Sequence, residues 1–371
     1  MSLRIIHVTP TCLGPGSAVG GGERFVEELA RAMARRDDVD TVKLVSFGSR
    51  AVRERPLPRL ERVVLRSWTR DRMTPFSPRL LSELRGADVI HCHQYFVLPT
   101  FMAALQGWLQ RSRVFVSDLG GGGWTPGYQI DQSRWVTAHL PISAYAAREL
   151  PGRNGRFAVI HGGVDLARFA PRPAPAHDGS VVFLGRILPH KGVHHLIAGL
   201  PPDTTLHVVG PALDAAYLAR LQELAAGGKD VRFHHGLADE QVVALLQRAM
   251  ALVHPTPVDA AGSARAHELF GLAVVEAMAC GCPVVASAAA SLPEIVENDR
   301  SGLLVPPGDE AAIAAAIARL RDDEALWRRL HAGALARARS LTWERAAERC
   351  LDAYRRGADA PPVATAWAPT R

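Results

Sequence analysis

Short apolar, β-rich runs alternate with amphipathic helical stretches along nearly the whole chain, and they do so in two series. That alternation constrains the fold more than any other feature, because successive parallel strands need a long crossover and a helix supplies it. The first series predicts strands at Arg4–Val8, Thr41–Ser46, Val63–Arg66, Asp88–His91, Arg113–Ser117, Val136–Pro141 and Phe157–Ile160. Helices are expected between them at Gly22–Arg35, Leu98–Gln110 and Ala144–Leu150. A Pro/Ala-rich stretch, Pro171–Gly179, breaks the pattern and reads as an interdomain linker. The second series predicts strands at Ser180–Leu184, Thr205–Val209, Val231–His234, Ala251–His254, Pro283–Ala286 and Gly302–Val305. Its helices are expected at Gly192–Gly199, Ala215–Ala225, Glu240–Arg248, Leu272–Cys280 and Glu310–Ala318. Two further helical stretches, Glu324–Ala338 and Trp343–Tyr354, have no strand between them, and the last is expected to pack back across the first domain. The expected fold is α/β, with two doubly wound parallel sheets facing across a cleft. One domain would comprise residues 1–170 with the C-terminal helix 342–371, and the other residues 171–341. Ligands of such sheets bind beyond the carboxyl ends of the strands.

Composition narrows the function classes. The 371 residues are 48% hydrophobic without low-complexity tracts, as suits a well-packed globular protein. No run approaches the roughly 18 uninterrupted apolar residues of a membrane span. MSLRIIHVTPT, at the start, reads as a strand and loop and not as a signal peptide, and the five cysteines (12, 92, 280, 282, 350) form no CxxC pair. A reducing cytoplasm is the expected compartment. The net charge is +6, and residues 50–85 alone hold ten arginines against four acids. That segment could meet an anionic acceptor or an acidic membrane face, or form solvated loops; with few aromatics and no binding module, it argues against nucleic acid. Lysine is scarce, at Lys43, Lys191 and Lys229 only, against 40 arginines. A lysine in such a chain marks a place where a compact ammonium is needed.

Between Glu268 and Glu276 the chain reads ELFGLAVVE. A helix opening near Gly271 would present unpaired N–H groups to an anion such as a diphosphate. Glu276 would lie one to two turns in, able to accept from the adjacent hydroxyls of a ribose, and Glu268 on the loop before the helix. The plain alternative is a pair of acids that favour a helix N-terminus. Gly185 and Arg186 end a predicted strand, and Lys191 follows just ahead of a helix. Those two cations would neutralise a diphosphate and the charge growing on it as a leaving group; the alternative is two surface cations. Gly20, Gly21 and Gly22 form a Gly-rich turn that lets backbone approach a ligand, although the spacing is neither a Walker A loop nor a dinucleotide fingerprint.

Taken in order, GGGER (20–24), DVIHCH (88–93), VIHGGVDLARF (159–169), GRILPHKGVHHLI (185–197), VVGPALD (208–214), VRFHHGL (231–237), ELFGLAVVEAMACGCPVVAS (268–287) and LPEIVENDRSGLLVPPGD (292–309) make the chain resemble a retaining glycosyltransferase of the GT-B fold, family 4. The resemblance implies two Rossmann-like domains and transfer of a hexose-type sugar from a UDP- or GDP-sugar to an acceptor hydroxyl, in bacterial glycan, glycolipid or polysaccharide synthesis. It implies no metal and no cofactor beyond the donor. Arg186, Lys191 and Glu268 would be catalytic. Glu276 would hold the ribose, and Phe270, Gly271 and Leu272 the sugar or phosphates. Gly185 would belong to the same site, Gly21 and Gly22 would approach the donor from the other domain, and Gly210, Pro211 and Leu237 would lie near the base. On the acceptor side stand His93, Asp118 and Gly120. His91 and His93, ending a strand, are assigned to opposite faces, His93 toward the acceptor cleft, with a structural role equally open. Leu119 stands where relatives carry a histidine, leaving Ser117, Asp118 or the backbone of Gly120–Gly123 to shape that side. The partners expected are a nucleotide sugar, a sugar, lipid-linked or small-molecule acceptor, and an anionic membrane touched through residues 50–85. The rival readings are a sugar-nucleotide epimerase and a catalytically impaired nucleotide-sugar binder.

Overall fold

The fold is described from a computed structural model, which describes residues 2–13, 20–71, 73–120, 123, 129–149, 155–257 and 268–357. Leu150, Gly121 and Gly122, which figure in the expectations above, lie outside them. The chain divides into two compact units, Met1–Gly162 with Trp343–Arg371, and Gly163–Thr342.

Unit 1 is built on β1 (Leu3–Val8), β2 (Val39–Gly48), β3 (Val52–Leu57), β4 (Leu60–Arg66), β5 (Val89–His93), β6 (Arg113–Ser117) and β7 (Ala138–His139), in the order β3-β4-β2-β1-β5-β6-β7. Neighbours run parallel except β3, which is antiparallel to β4. The sequence pattern misses β3 because VRERPL has no apolar run; it is an edge strand whose charges and proline belong at an unpaired margin. The strand expected at Val136–Pro141 shortens to β7, and that at Phe157–Ile160 reduces to one bridge between Phe157 and His139. Part of the basic segment is spent on this sheet: Arg53 pairs with Glu61 and Glu83, and Arg62 with Glu27 and Glu54. The stretches Val52–Leu57 and Leu60–Arg66 are therefore strand and not solvated loop.

The final helix, Trp343–Arg356, belongs to unit 1, as its amphipathic pattern predicts. Trp343 meets Phe25 edge-on at 5.4 Å, and Arg113 donates to the Tyr354 carbonyl at 2.7 Å. Tyr354 Oη lies 2.7 Å from His91 Nδ1. His91 pairs in register with His7 on β1, and the His91 and His93 rings are 4.3 Å apart. The assignment of His91 and His93 to opposite faces is thereby corrected: residues two apart in a strand share a face. His93 is buried against His7, His91 and Phe25, in the interior of unit 1 and not along an open acceptor surface.

Unit 2 carries β8 (Val181–Leu184), β9 (Leu206–Val209), β10 (Val231–His234), β11 (Ala251–His254), β12 (Val284–Ser287) and β13 (Gly302–Val305), all parallel, in the order β10-β9-β8-β11-β12-β13. Continuous apolar runs such as VVFL suit strands buried on both faces, and Val181, Phe183, Val208 and Val253 are core residues. The Pro/Ala stretch is not the joint between the units, which falls earlier, at Gly162/Gly163. It is laid onto unit 2: Gln247 donates to the Ala170 carbonyl at 2.7 Å, Asp178 N to Arg248 O at 2.8 Å, and His177 lies 4.7 Å from Trp327. No helix among the described residues is long and apolar enough to cross a membrane.

Burial holds His7 neutral, lowering its pKa to about 3, and pushes His91 and His93 well below the ordinary value by burial and then by neighbouring charge, that of His7 on His91 and those of His91 and His7 on His93. The native state resists a proton that the unfolded chain accepts near pH 6.5. This contribution is therefore complete above about pH 6.5 and is lost as pH falls toward 3. Urea melts across that window should show stability falling with pH, with a shallower slope in His7→Phe; an unchanged slope in that variant would contradict the assignment.

Candidate active site

In the unit 2 sheet, β8 and β11 are neighbours, but the chain leaves them in opposite directions, to β9 and β10 on one side and to β12 and β13 on the other. Loops that part in this way leave a crevice at the carboxyl edge, the usual ligand position in doubly wound sheets. Lys191 comes to this edge after β8, in the short helical turn Pro189–Lys191. Gly192 ends that turn at φ 71°, and a Cβ there would lie 2.0 Å from the Pro255 carbonyl oxygen. Only glycine satisfies both demands, and the close approach sets Lys191 beside the end of β11.

Glu268 is the meeting point. Its Oε2 accepts from Lys191 Nζ at 2.7 Å and lies 3.0 Å from His254 Nε2, while its Oε1 accepts the Gly271 amide at 3.0 Å. Ser291 Oγ donates to the Glu268 carbonyl at 2.8 Å. Burial raises the Glu268 pKa, but the Lys191 charge and the His254 hydrogen bond outweigh it and hold the carboxyl well below its ordinary range. The site therefore keeps a carboxylate and an ammonium together under little water, with 16% and 12% of the two side chains exposed. His254 is itself buried, its Nδ1 lying 3.2 Å from Thr256 Oγ1.

The sequence motifs set Lys191 against an anion and do not mark His254 or Thr256. A histidine closing a buried strand just ahead of an acid-bearing loop is the signal that could have found them. Glu268, not a ligand, accepts from the Gly271 amide here. The next amides, of Leu272 and Ala273, open the helix Leu272–Ala279 and have no partner within it. Phe270 is buried, and Glu276 is buried within this otherwise apolar helix.

Arg186 follows β8, is exposed, and forms no ion pair among the described residues. Gly185, at φ 156°, donates to the Val209 carbonyl, and a Cβ on Gly210 would fall 1.9 Å from the Gly185 oxygen, so the ends of β8 and β9 are pressed together. Pro211 and Leu237 follow β9 and β10 on the same edge, exposed and half-buried. The predicted donor residues Gly185, Arg186, Lys191, Gly210, Pro211, Leu237, Glu268, Phe270, Gly271, Leu272 and Glu276 thus all lie in unit 2, on loops beyond its strand ends or on the helix that follows.

The other predicted residues lie in unit 1. Gly21 and Gly22 open the helix Gly21–Ala34, and Gly20 N donates to Glu23 Oε2 at 3.0 Å. Leu119 sits beside them, its Cδ1 3.8 Å from where a Cβ on Gly22 would lie. Asp118 caps its own loop, accepting from Gly120 N at 2.9 Å and Tyr95 N at 3.3 Å. Burial raises its pKa, and those two amides pull the other way. Gln94, which sequence reasoning missed, holds φ 114° and donates to the Gly120 carbonyl at 2.6 Å. A non-glycine residue there is strained, a condition that clusters at functional sites. Ring nitrogens of His7, His91 and His93 lie within 4.8 Å of one another, close enough for one ion. Most are already engaged, His7 Nδ1 with His93 Nε2 at 2.8 Å and His91 with Tyr354 and Ser117, while the buried His93 Nδ1 has no partner among the described residues.

A family model described as Glycosyl transferases group 1 matches residues 168–337, and one described as Glycosyltransferase Family 4 matches residues 19–168. Glycogen synthase of Mycobacterium tuberculosis is 30% identical over 291 residues, which cover 72% of this chain and 68% of that one. D-inositol 3-phosphate glycosyltransferase of Streptomyces bingchenggensis is 34% identical over 226 residues, covering 53% of this chain and 47% of its own length. Among solved structures, sucrose-phosphate synthase from Thermosynechococcus elongatus aligns with TM-score 0.73 at 23% identity, over 95% of this chain and 98% of that one. Anabaena HepE in complex with UDP and glucose aligns with TM-score 0.70 at 20% identity, over 94% and 98%. These likenesses show a GT-B fold with two Rossmann-like units.

Gly236 has the same φ of 71° as Gly192, but a Cβ on it would meet nothing within 4 Å. Gly192→Ala should therefore cost more stability than Gly236→Ala, by about 1–3 kcal/mol for the added steric conflict. Paired denaturant melts check this, and equal losses would mean that the approach to Pro255 does not constrain the turn.

Proposed function

The chain belongs to the glycosyl transferases of group 1, and from that membership we propose that it moves a hexose-type sugar from a UDP- or GDP-sugar to an acceptor hydroxyl, with retained anomeric configuration and without a metal. Glycan, glycolipid or polysaccharide synthesis in the cytoplasm is the setting proposed, with a sugar, a lipid-linked compound or a small molecule as acceptor. Anionic lipid at the inner membrane face would be met by exposed arginines of residues 50–85. The observation that carries the reading is the Lys191–Glu268–His254 cluster at the switch point of unit 2, beside the opening of the helix Leu272–Ala279. The complex of Anabaena HepE with UDP and glucose supports a nucleotide-linked donor.

An ammonium has three N–H donors, and Glu268 takes one from Lys191, leaving two for a diphosphate. Arg186, exposed and without an acid partner among the described residues, supplies a forked cation that suits phosphate oxygens. In the proposed step the bond from the anomeric carbon to the phosphate oxygen breaks and the acceptor oxygen bonds to the same face. The acceptor proton passes to the departing phosphate. Arg186, Lys191 and the helix amides stabilise the charge that collects there. The buried Glu268 carboxylate, held ionised, would orient the sugar hydroxyls. Retention through a carboxylate nucleophile requires a second acid near the anomeric carbon; Glu276, in the helix, is assigned to the ribose instead.

A melting screen against UDP- and GDP-sugars should single out the donor, since a ligand of the native state raises the melting temperature. Incubation of that donor alone separates transfer from epimerisation, which needs no acceptor. Arg186→Ala should lower turnover by on the order of 10²-fold, as the loss of one oxyanion donor does. Near-wild-type rates in that variant would overturn its role.

A further inference from the structure

A groove of about 600 Å³ opens on unit 1 at the amino edge of β6 and β7, the edge opposite Gln94, Asp118 and Gly120. Its walls include Trp108, Leu109, Arg111, Arg134, Trp135 and Arg156, and no acidic residue among the described residues lines it. Trp108 and Leu109 end the helix Leu98–Gln110 and are 55% and 63% exposed, an unusual position for two large apolar side chains.

The backbones that carry the three arginines are held in place. Arg111 closes its helix in the left-handed region at φ 64°, donating its amide to the Trp108 carbonyl at 3.3 Å. Arg134 sits in the short turn Ser133–Trp135, its guanidinium 4.9 Å from the centre of the Trp135 ring. That turn is anchored below by buried Gln132, which donates to the Tyr95 carbonyl at 2.8 Å. The Arg156 carbonyl accepts from His139 N at 2.9 Å, fixing the backbone of Arg156 beside β7. Arg111 and Arg134 are both exposed where they line this groove, and an anion between them offsets the repulsion of the two like charges. Guanidinium forks match phosphate oxygens, and indole rings bring an apolar face with a polar edge.

We propose that this groove is a second ligand site of the protein, selective for a phosphate ester whose remaining part lies against Trp108 and Leu109. The phosphate comes either from a phospholipid head group or from a free sugar phosphate. Every residue in it belongs to unit 1, at the amino edge of the sheet, whereas all the predicted donor residues except Gly21 and Gly22 belong to unit 2.

The two indoles serve as fluorescent reporters. Full-length protein is titrated separately with vesicles of phosphatidylglycerol in phosphatidylcholine, with pure phosphatidylcholine vesicles, and with glucose 6-phosphate. Binding to the anionic vesicles alone assigns the head group, and saturable binding of glucose 6-phosphate assigns the free ester. Either should weaken by roughly tenfold or more in the Arg111→Ser/Arg134→Ser double variant, two phosphate contacts being lost. Both arginines are exposed, so an unchanged melting temperature in the variant verifies its fold. Response to none of the probes, equal response to neutral vesicles, or equal affinity in the double variant would overturn the proposal. Donor binding, followed by melting shift, should be the same in both proteins, so that failure here is distinguishable from failure of the transferase reading.

Discussion

The buried charge of Glu268 organises the carboxyl edge of the unit 2 sheet. A carboxylate removed from water costs several kcal/mol unless its oxygens are occupied, and here both are: one by Lys191 and His254, the other by the Gly271 amide. Its partners come from three places in the chain, the turn after β8, the last residue of β11 and the start of the helix Leu272–Ala279. One carboxylate therefore ties together segments that the sheet alone would leave as separate loops. The tie works only because Gly192 lets backbone pass against Pro255. Electrostatics and close packing are here one constraint.

The same economy runs through the use of lysine. Each of the three has a defined acceptor: Lys43 reaches Glu83 at 2.9 Å, Lys229 the Leu200 carbonyl at 2.6 Å, and Lys191 Glu268 at 2.7 Å. Arginine covers the surface and the β3–β4 ladder of ion pairs. The small ammonium is kept where a single compact charge must fit, and Lys191 is the one of the three that stands at the switch point of a sheet.

Unit 1 solves a corresponding problem in another way. Its sheet also changes direction, between β1 and β5, and there the interior holds His7, His91 and His93 in place of aliphatic side chains. Their hydrogen bonds reach Tyr354 and Ser117, so the polar cluster fastens the last helix to the sheet. The carboxyl edge above carries the strained Gln94 and the self-capped Asp118, a pre-set loop rather than an open one.

How much of this could be read in advance follows from the range of each interaction. Periodicity is local, and it is enough for twelve of the thirteen strands: those such as Arg113–Ser117, Val231–His234, Ala251–His254 and Gly302–Val305 lie where the apolar runs predict. The ordered motifs likewise announce the family, and they contain Lys191, Gly271 and Glu268, which the fold brings together. The charged edge strand β3 escaped because an edge needs no apolar alternation, and the Pro/Ala stretch misled because proline marks a break in helix or strand, not in packing. His254 escaped because its role lies in a partner fourteen residues away, at 3.0 Å. Sequence alone thus determined the two α/β series and the residue types at the strand ends. Tertiary structure alone decided which of those ends meet, because a salt bridge, a glycine's clearance from a carbonyl and the hand of a sheet crossing are distances in space that no spacing along the chain encodes.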